Sequence, residues 1–516
     1  MHAARAHTEV RQVLSKNNFF NENLIQAKKG FTVQVGELTL HSRYDPAAEA
    51  EKYIDSLLLK TYKYFILLEP GLNYLAYSLK EKFPGSIIIS LHCSSFYDKQ
   101  NSYLKNTISS FFSAQELFWT PASIEPLEDF LERELFDVDA ADIKLIDWKP
   151  SVNAYGKVCL DLTSVTVECI RRISAGRKTV RNFGKRWFKN ALSNMELVKN
   201  NVIIQKGSMQ VLVCAAGPSL EGSLGEIGTW KKSNTPPFII AVSSAVPALL
   251  YHGIKPDIII TTDGGSWAGF HLIECFRQCE KTSGEKPVIA AALTAALPSQ
   301  AGNYPVVFLG DGSLWQDFLL KAAKLATLAF PQRGTVSVSA LDLAFYITSG
   351  NVYICGMDLS HRDLLTHARP YAFEVFPEQK QYRKTPLYSQ VFERENMIRR
   401  SGSHGIYASW FTSHRSLFSD RLYIVGESQF GIPSGKPAAD DSGTKVQFTV
   451  QNVNNKNTKK GFINVLCNSL KNPLIKDQLC KELGELLLPD LLPEDRIFTD
   501  EIRKALLELI DGQTDF

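Results

Sequence analysis

Small, hydroxyl-bearing and acidic residues close several apolar runs of this chain, and their positions suggest nucleotide chemistry. The run VLVC (211–214) leads into Ala-Ala-Gly217-Pro218-Ser219 and then a helical pattern. A glycine there lets backbone approach a phosphate or ribose, Ser219 adds a hydroxyl, and the following helix start offers free N–H groups and a positive dipole end. An ordinary strand-to-helix turn accounts for the same residues equally well. One glycine is too few for the dinucleotide fingerprint, and no Gly-Lys-Ser/Thr follows as a P-loop requires. FIIAV (238–242) ends at Ser243 and Ser244, whose short hydroxyls suit a base or ribose, or let the next helix pack closely. KPDIIITTD (255–263) ends at Thr262 and Asp263, where an acid can bind a hydroxyl or a metal, or cap the next helix. In GTVSVSALDLA (334–344), Gly334, Ser337 and Ser339 sit where a helix start would meet an anion. VYIC (352–355) ends at Gly356, Asp358 and Ser360; Asp358 can hold a sugar hydroxyl or cap the next segment.

Histidines supply acid–base chemistry near neutral pH. His361, His367, His404 and His414 all follow VYIC. A single loop histidine is most often a solvent-exposed bystander, so the residue type alone assigns none of them. No HExxH, GxSxG or CxxC pattern is present, and Asp257 with Asp263 is not a DxD metal motif.

The elements that would position these residues follow from periodicity. Apolar runs at 210–215, 238–242, 257–262, 287–291, 305–309, 352–355 and 421–425 read as strands with helices between most of them. This predicts an α/β fold: a Rossmann-like, mostly parallel core sheet with helices on both faces. Its ligands would bind at the carboxyl edge. Ahead of it, residues 23–29 predict a short helix, FTVQV and LTLHS a hairpin around Gly36, and Asp45-Pro46 a capped helix start. Strands at 62–68 and 86–91 then flank an amphipathic 72–83. The expected organisation is a smaller α/β domain at 1–150, a helical, basic connecting segment at 151–208 and the Rossmann-like core at 209–430. A polar linker or exposed loop at 431–460 and a helical C-terminal region at 461–516 complete it.

At 516 residues two or three domains are expected. A net charge of +3 is too small to argue for nucleic acid. Between Arg171 and Lys189 there are eight Lys/Arg and no Asp/Glu. Such a run usually solvates a helix face; the alternative is a surface for an acidic partner or for phosphates. Nine cysteines, several within apolar strands, read as buried reduced thiols of a cytoplasmic protein. The polar start and the absence of a long apolar run predict no secretory signal and no transmembrane helix.

In their order, GPSL, KPDIIITTD, GTVSVSALDLA and GMDLSH resemble the motility-associated factor glycosyltransferases of flagellated bacteria. That family shares its core with proteins resembling 6-hydroxymethylpterin diphosphokinase of the MptE type. The segment LHSRYDPAAEAEKY (40–53) is similar to spirochaete members. The resemblance covers about residues 30–430 and implies transfer of a nonulosonic (sialic-acid-like) sugar from its CMP-activated form to Ser/Thr of flagellin, in support of flagellar assembly and motility. The core is also similar to bacterial sialyltransferases, in which a GPSL loop and a Ser-containing loop hold CMP and a downstream histidine is the base. Carried over, Gly217, Pro218 and Ser219 match the first loop and Ser337 the second. YAF (371–373) and SHGIY (403–407) point to His404 as the base, with His414 and His367 as alternatives. The Ser-rich loop departs from the sialyltransferase pattern.

The implied chemistry needs no obligatory metal, because CMP leaves with its charge already on the phosphate; Mg2+ is compatible but not required. The implied partners are flagellin and a nucleotide sugar, with no nucleic acid, no integral membrane contact and oligomerisation left open. Two alternatives stand: a 6-hydroxymethylpterin diphosphokinase-like transferase, and a non-catalytic flagellin-binding assembly factor. The domains beyond the core exceed what a small-molecule enzyme needs, which favours a protein acceptor over a pterin.

Overall fold

The computed structural model describes residues 20–97, 117–135, 138–281, 284–330, 333–359, 365–379, 381–386, 388–389, 408, 411, 418, 421–426, 432–435, 443–453, 458–489 and 499–509. Two compact units divide the chain, 1–179 and 180–516.

The first unit opens with strands β1 (Glu22–Gln26), β2 (Phe31–Val35) and β3 (Leu38–Thr39) in an antiparallel sheet. The helix expected at 23–29 is therefore β1. Its residues pair in register with β2, Glu22 opposite Val35 through Gln26 opposite Phe31. Cross-strand pairing overrides a weak local helical preference here. Helix α1 (Pro46–Ser56) starts as expected, with Pro46 in its first turn and Asp45 Oδ1 accepting from the Ala48 amide at 3.1 Å. A four-stranded parallel sheet follows in the order β6-β5-β4-β7. Its elements are β4 (Tyr64–Leu68), α2 (Tyr74–Lys82), β5 (Ile87–Leu91), β6 (Leu117–Trp119), α3 (Leu127–Glu134) and β7 (Ile143–Asp147). Helix α4 (Lys149–Tyr155) comes next.

Helix α5 (Lys157–Leu197) belongs to both units. Cys159, Leu162, Val165 and Cys169 join the first core; Phe188, Ala191, Leu192 and Met195 join the second. Gly176 and Gly184 lie within it and do not break it. At Gly184 the absent side chain admits the backbone of Leu486, 2.9 Å from where a Cβ would stand.

The second unit is built on a ten-stranded sheet ordered β16-β15-β9-β10-β11-β12-β13-β8-β17, with β14 also on β13. In chain order its elements are β8 (Asn200–Gln205), β9 (Val211–Cys214), α6 (Leu220–Lys231), β10 (Phe238–Val242), α7 (Val246–Tyr251), β11 (Ile258–Thr261) and α8 (Ser266–Cys279). Then come β12 (Val288–Ala292), β13 (Pro305–Gly310), α9 (Leu314–Ala323), β14 (Thr327–Ala329), α10 (Val336–Ile347), β15 (Val352–Cys355), α11 (Val375–Gln379), β16 (Leu422–Ile424) and β17 (Gln447–Asn452). Every residue of β9, β10, β11, β12 and β15 is buried, as in a parallel sheet covered on both faces. The ladders among the described residues are parallel except β8 with β17.

Two expected boundaries change. The core sheet already includes β8, upstream of residue 209. The stretch 431–460, expected as linker or exposed loop, contributes the edge strand β17, Gln447 opposite Gln205 through Asn452 opposite Asn200. An edge strand faces solvent on much of its surface, so its composition is polar. The tail holds α12 (Lys459–Ser469), α13 (Lys476–Leu487) and α14 (Thr499–Glu508), which bury Phe462, Leu466, Leu483 and Leu506.

Candidate functional site

Chain order runs β9 to β13 outward in one direction, then returns through α10 to place β15 on the other side of β9. The strand order therefore reverses between β9 and β15. At such a point the two carboxyl-end loops diverge and leave a crevice.

Those two loops are bound to each other. The Gly217 amide donates to the Gly356 carbonyl at 2.7 Å, and the Ser219 amide donates to Asp358 Oδ2 at 2.7 Å. Gly356 has φ +69°, and a Cβ there would collide with the Ala215 carbonyl. A Cβ on Gly217 would collide with the Asp358 carboxylate and the Gly356 carbonyl. At the start of α6, where free N–H groups were expected to meet a ligand phosphate, the Ser219 amide is instead taken by the protein's own Asp358.

A third segment crosses the same place. The Ala368 amide donates to the Ala216 carbonyl at 2.9 Å. Glu221 Oε1, in the first turn of α6, accepts from the Arg369 amide at 2.9 Å and faces Arg369 Nε at 3.4 Å. This anchoring brings half-buried His367 to the crevice, its ring centroid 5.3 Å from Tyr371 and 5.9 Å from His271. Thr366 Oγ1 lies 3.1 Å from His367 Nδ1.

Ser243 and Ser244 follow β10 at the same edge. Ser243 is buried, its amide donating to the Ile260 carbonyl at 3.0 Å and its carbonyl accepting from Cys275 Sγ at 3.1 Å; Ser244 is half-buried. Thr262 is half-buried beyond β11. Exposed Asp263 accepts from the Gly265 amide at 2.7 Å, capping its own turn. Asn190 of α5 braces that turn through the Gly264 and Thr294 carbonyls, each at 3.0 Å.

Helix α10 ends where the Ile347 carbonyl accepts from the Gly207 amide and Thr348 Oγ1 donates to the Met209 carbonyl, at the amino edge of β9. Its 12 residues span about 18 Å, so its start reaches the carboxyl edge. Thr335 caps it by accepting from the Val338 amide at 3.3 Å. No helical carbonyl can reach the amides of Val336 and Ser337, which stand at that open end beside exposed Gly334. Ser339 points inward, its hydroxyl donating to the Thr335 carbonyl at 3.3 Å. Arg333 holds Asp342 at 2.7 Å, while burial pushes the Asp342 carboxyl above its ordinary range.

His271 was not anticipated. It sits mid-helix in α8 among apolar residues, one turn before Cys275. Its ring centroid is 4.4 Å from Phe373, and burial lowers its pKa from 6.5 to about 4. The helical spacing of His271 and Cys275 was its only sequence signal. Ser360, His361, His404 and His414 lie outside the described residues.

Residues 185–363 match the family described as 6-hydroxymethylpterin diphosphokinase MptE-like. Over that stretch the chain is similar to the MptE-like family. This agrees with the resemblance of its motifs. The matched stretch includes both crevice loops, the α10 start and His271, whereas His367 lies just beyond it. An uncharacterized protein of Treponema pallidum (strain Nichols) is 29% identical over 288 residues, which is 56% of this chain and 61% of that protein. The chain thus matches less than two thirds of that relative's length. A solved structure of a MAf glycosyltransferase from Magnetospirillum magneticum AMB-1 aligns over 98% of this chain and 89% of its own, at 13% identity and TM-score 0.47. The nine cysteines are buried and free, and no helix among the described residues is long and apolar enough to cross a membrane.

Proposed function

We propose that this protein is a glycosyltransferase that moves a nonulosonic sugar from a CMP-activated donor to Ser/Thr of flagellin in the cytoplasm. One observation supports this most: the four sequence motifs that resemble the motility-associated factor family meet at, or reach, the carboxyl edge of one sheet. In this reading the α10 start, with Ser337, receives the CMP phosphate. Ser243, Ser244 and Thr262 line the nucleoside. Asp358 acts by position, fixing the loop pair rather than meeting the phosphate.

An acceptor hydroxyl attacks poorly unless its proton leaves with the attack. Its base is a histidine of the segment after β15. His367 takes that role here because it stands at the crevice, and His404 and His414 are tested beside it. The proton passes to the imidazole as the hydroxyl oxygen bonds the sugar anomeric carbon, and CMP leaves with the bonding pair. Ser337 and the α10 amides stabilise its phosphate.

The name of the matching family favours a second reading, diphosphoryl transfer from ATP to a hydroxymethylpterin. Calorimetric titration separates the two. The glycosyltransferase reading expects CMP to bind; ATP binding with no CMP binding overturns it.

A further inference from the structure

His271 is 9% exposed, yet its Nδ1 is buried with no hydrogen-bond partner among the described residues. Leaving a buried polar nitrogen unmet is costly, and a ligand group that met it would recover that cost. The position is specific. Helix α8 is fixed to the end of β10 by the Cys275 thiol on the Ser243 carbonyl, which sets His271 one turn closer to the start of α8. Its ring stands 5.9 Å from His367 and 4.4 Å from Phe373.

We infer that His271 is a specificity-determining residue of the donor site, whose imidazole hydrogen-bonds a neutral hydroxyl or acylamino group of the transferred sugar. The inference rests on the CMP-sugar reading above. Burial keeps the ring uncharged at neutral pH, so it presents one N–H donor and one acceptor nitrogen. That pair matches a hydroxyl or amide, which both gives and takes a hydrogen bond. A phosphate would use only the N–H of that pair and leave the acceptor nitrogen unmet. Its place beside His367 puts the sugar, rather than the cytidine, next to the base.

The test is calorimetric titration of the full chain with CMP and with CMP-N-acetylneuraminic acid. The proteins are wild type, His271→Phe, which keeps the ring's bulk, and His271→Asn, which keeps a polar group near Nδ1. The expected result is that His271→Phe binds CMP like wild type but binds the CMP-sugar five- to tenfold more weakly, the scale of one lost hydrogen bond. His271→Asn should recover most of that loss. Equal affinity of His271→Phe and wild type for both compounds overturns the inference and leaves the glycosyltransferase reading standing. Weaker CMP binding by His271→Phe also overturns it, since the residue would then serve the nucleotide or the fold. Absence of CMP and CMP-sugar binding in wild type overturns both the inference and the reading it rests on.

Discussion

The Asp358 carboxylate accepts from the Ser219 amide at 2.7 Å, joining residues 139 positions apart across the reversal in strand order. The bond caps α6 from another strand's loop, so the crevice wall and the helix start are one unit. Gly217 lies inside this pairing with no room for a side chain.

Gly217→Val should therefore abolish CMP binding and lower stability by about 1–3 kcal/mol, the range for overpacking a filled site. Asp358→Ala should cost about 1 kcal/mol, as loss of a helix cap does. Urea unfolding measures both. A Gly217→Val protein of unchanged stability contradicts the packing described.

His367→Ala should reduce transfer by about two to four orders of magnitude, the usual range for a lost general base. CMP affinity should stay within about threefold, because the base meets the acceptor. Turnover is measured on purified flagellin, with His404→Ala and His414→Ala alongside. Near-normal turnover by His367→Ala moves the role to whichever of the other two is inactive.

Glu22 predicts a pH dependence in the first unit. Burial raises its pKa from 4.5 to about 7, against the lowering effect of its bonds from Tyr155 and Ser94. The folded chain thus holds a proton that the unfolded chain releases. Its stabilising effect is complete below pH about 4.5 and is lost as pH rises through about 7. Hydrogen-exchange protection of β1 and β2, corrected for intrinsic rate, should fall between pH 5 and 8. Glu22→Gln should flatten that slope, and an unchanged slope would contradict the assignment to Glu22.

The central strands were legible because VLVC, FIIAV and VYIC are buried on both faces and carry uninterrupted apolar runs. β1 and β17 were not, since ENLIQ and QFTVQN are edge segments whose identity depends on a partner strand. The loops were legible as candidate ligand residues, but not their pairing: nothing local to Gly217 or Ser219 announces Asp358. His271 was hidden for the same reason. A histidine in an apolar helix looks like core until the fold sets it beside His367.

Gly184→Val tests how the tail is held. A side chain there meets the Leu486 backbone, which cannot yield as a flexible side-chain end can. The substitution should cost about 1–3 kcal/mol and expose α13 to limited proteolysis. Wild-type resistance to protease would show that α13 docks without this close approach.

The central claim is transfer of a sugar to flagellin, and the intact mass of flagellin from cells with and without this gene tests it most directly. The account predicts that flagellin from cells carrying the gene is heavier by one or more nonulosonic acid residues, and that the added mass disappears with the gene. Identical masses from the two strains would contradict it.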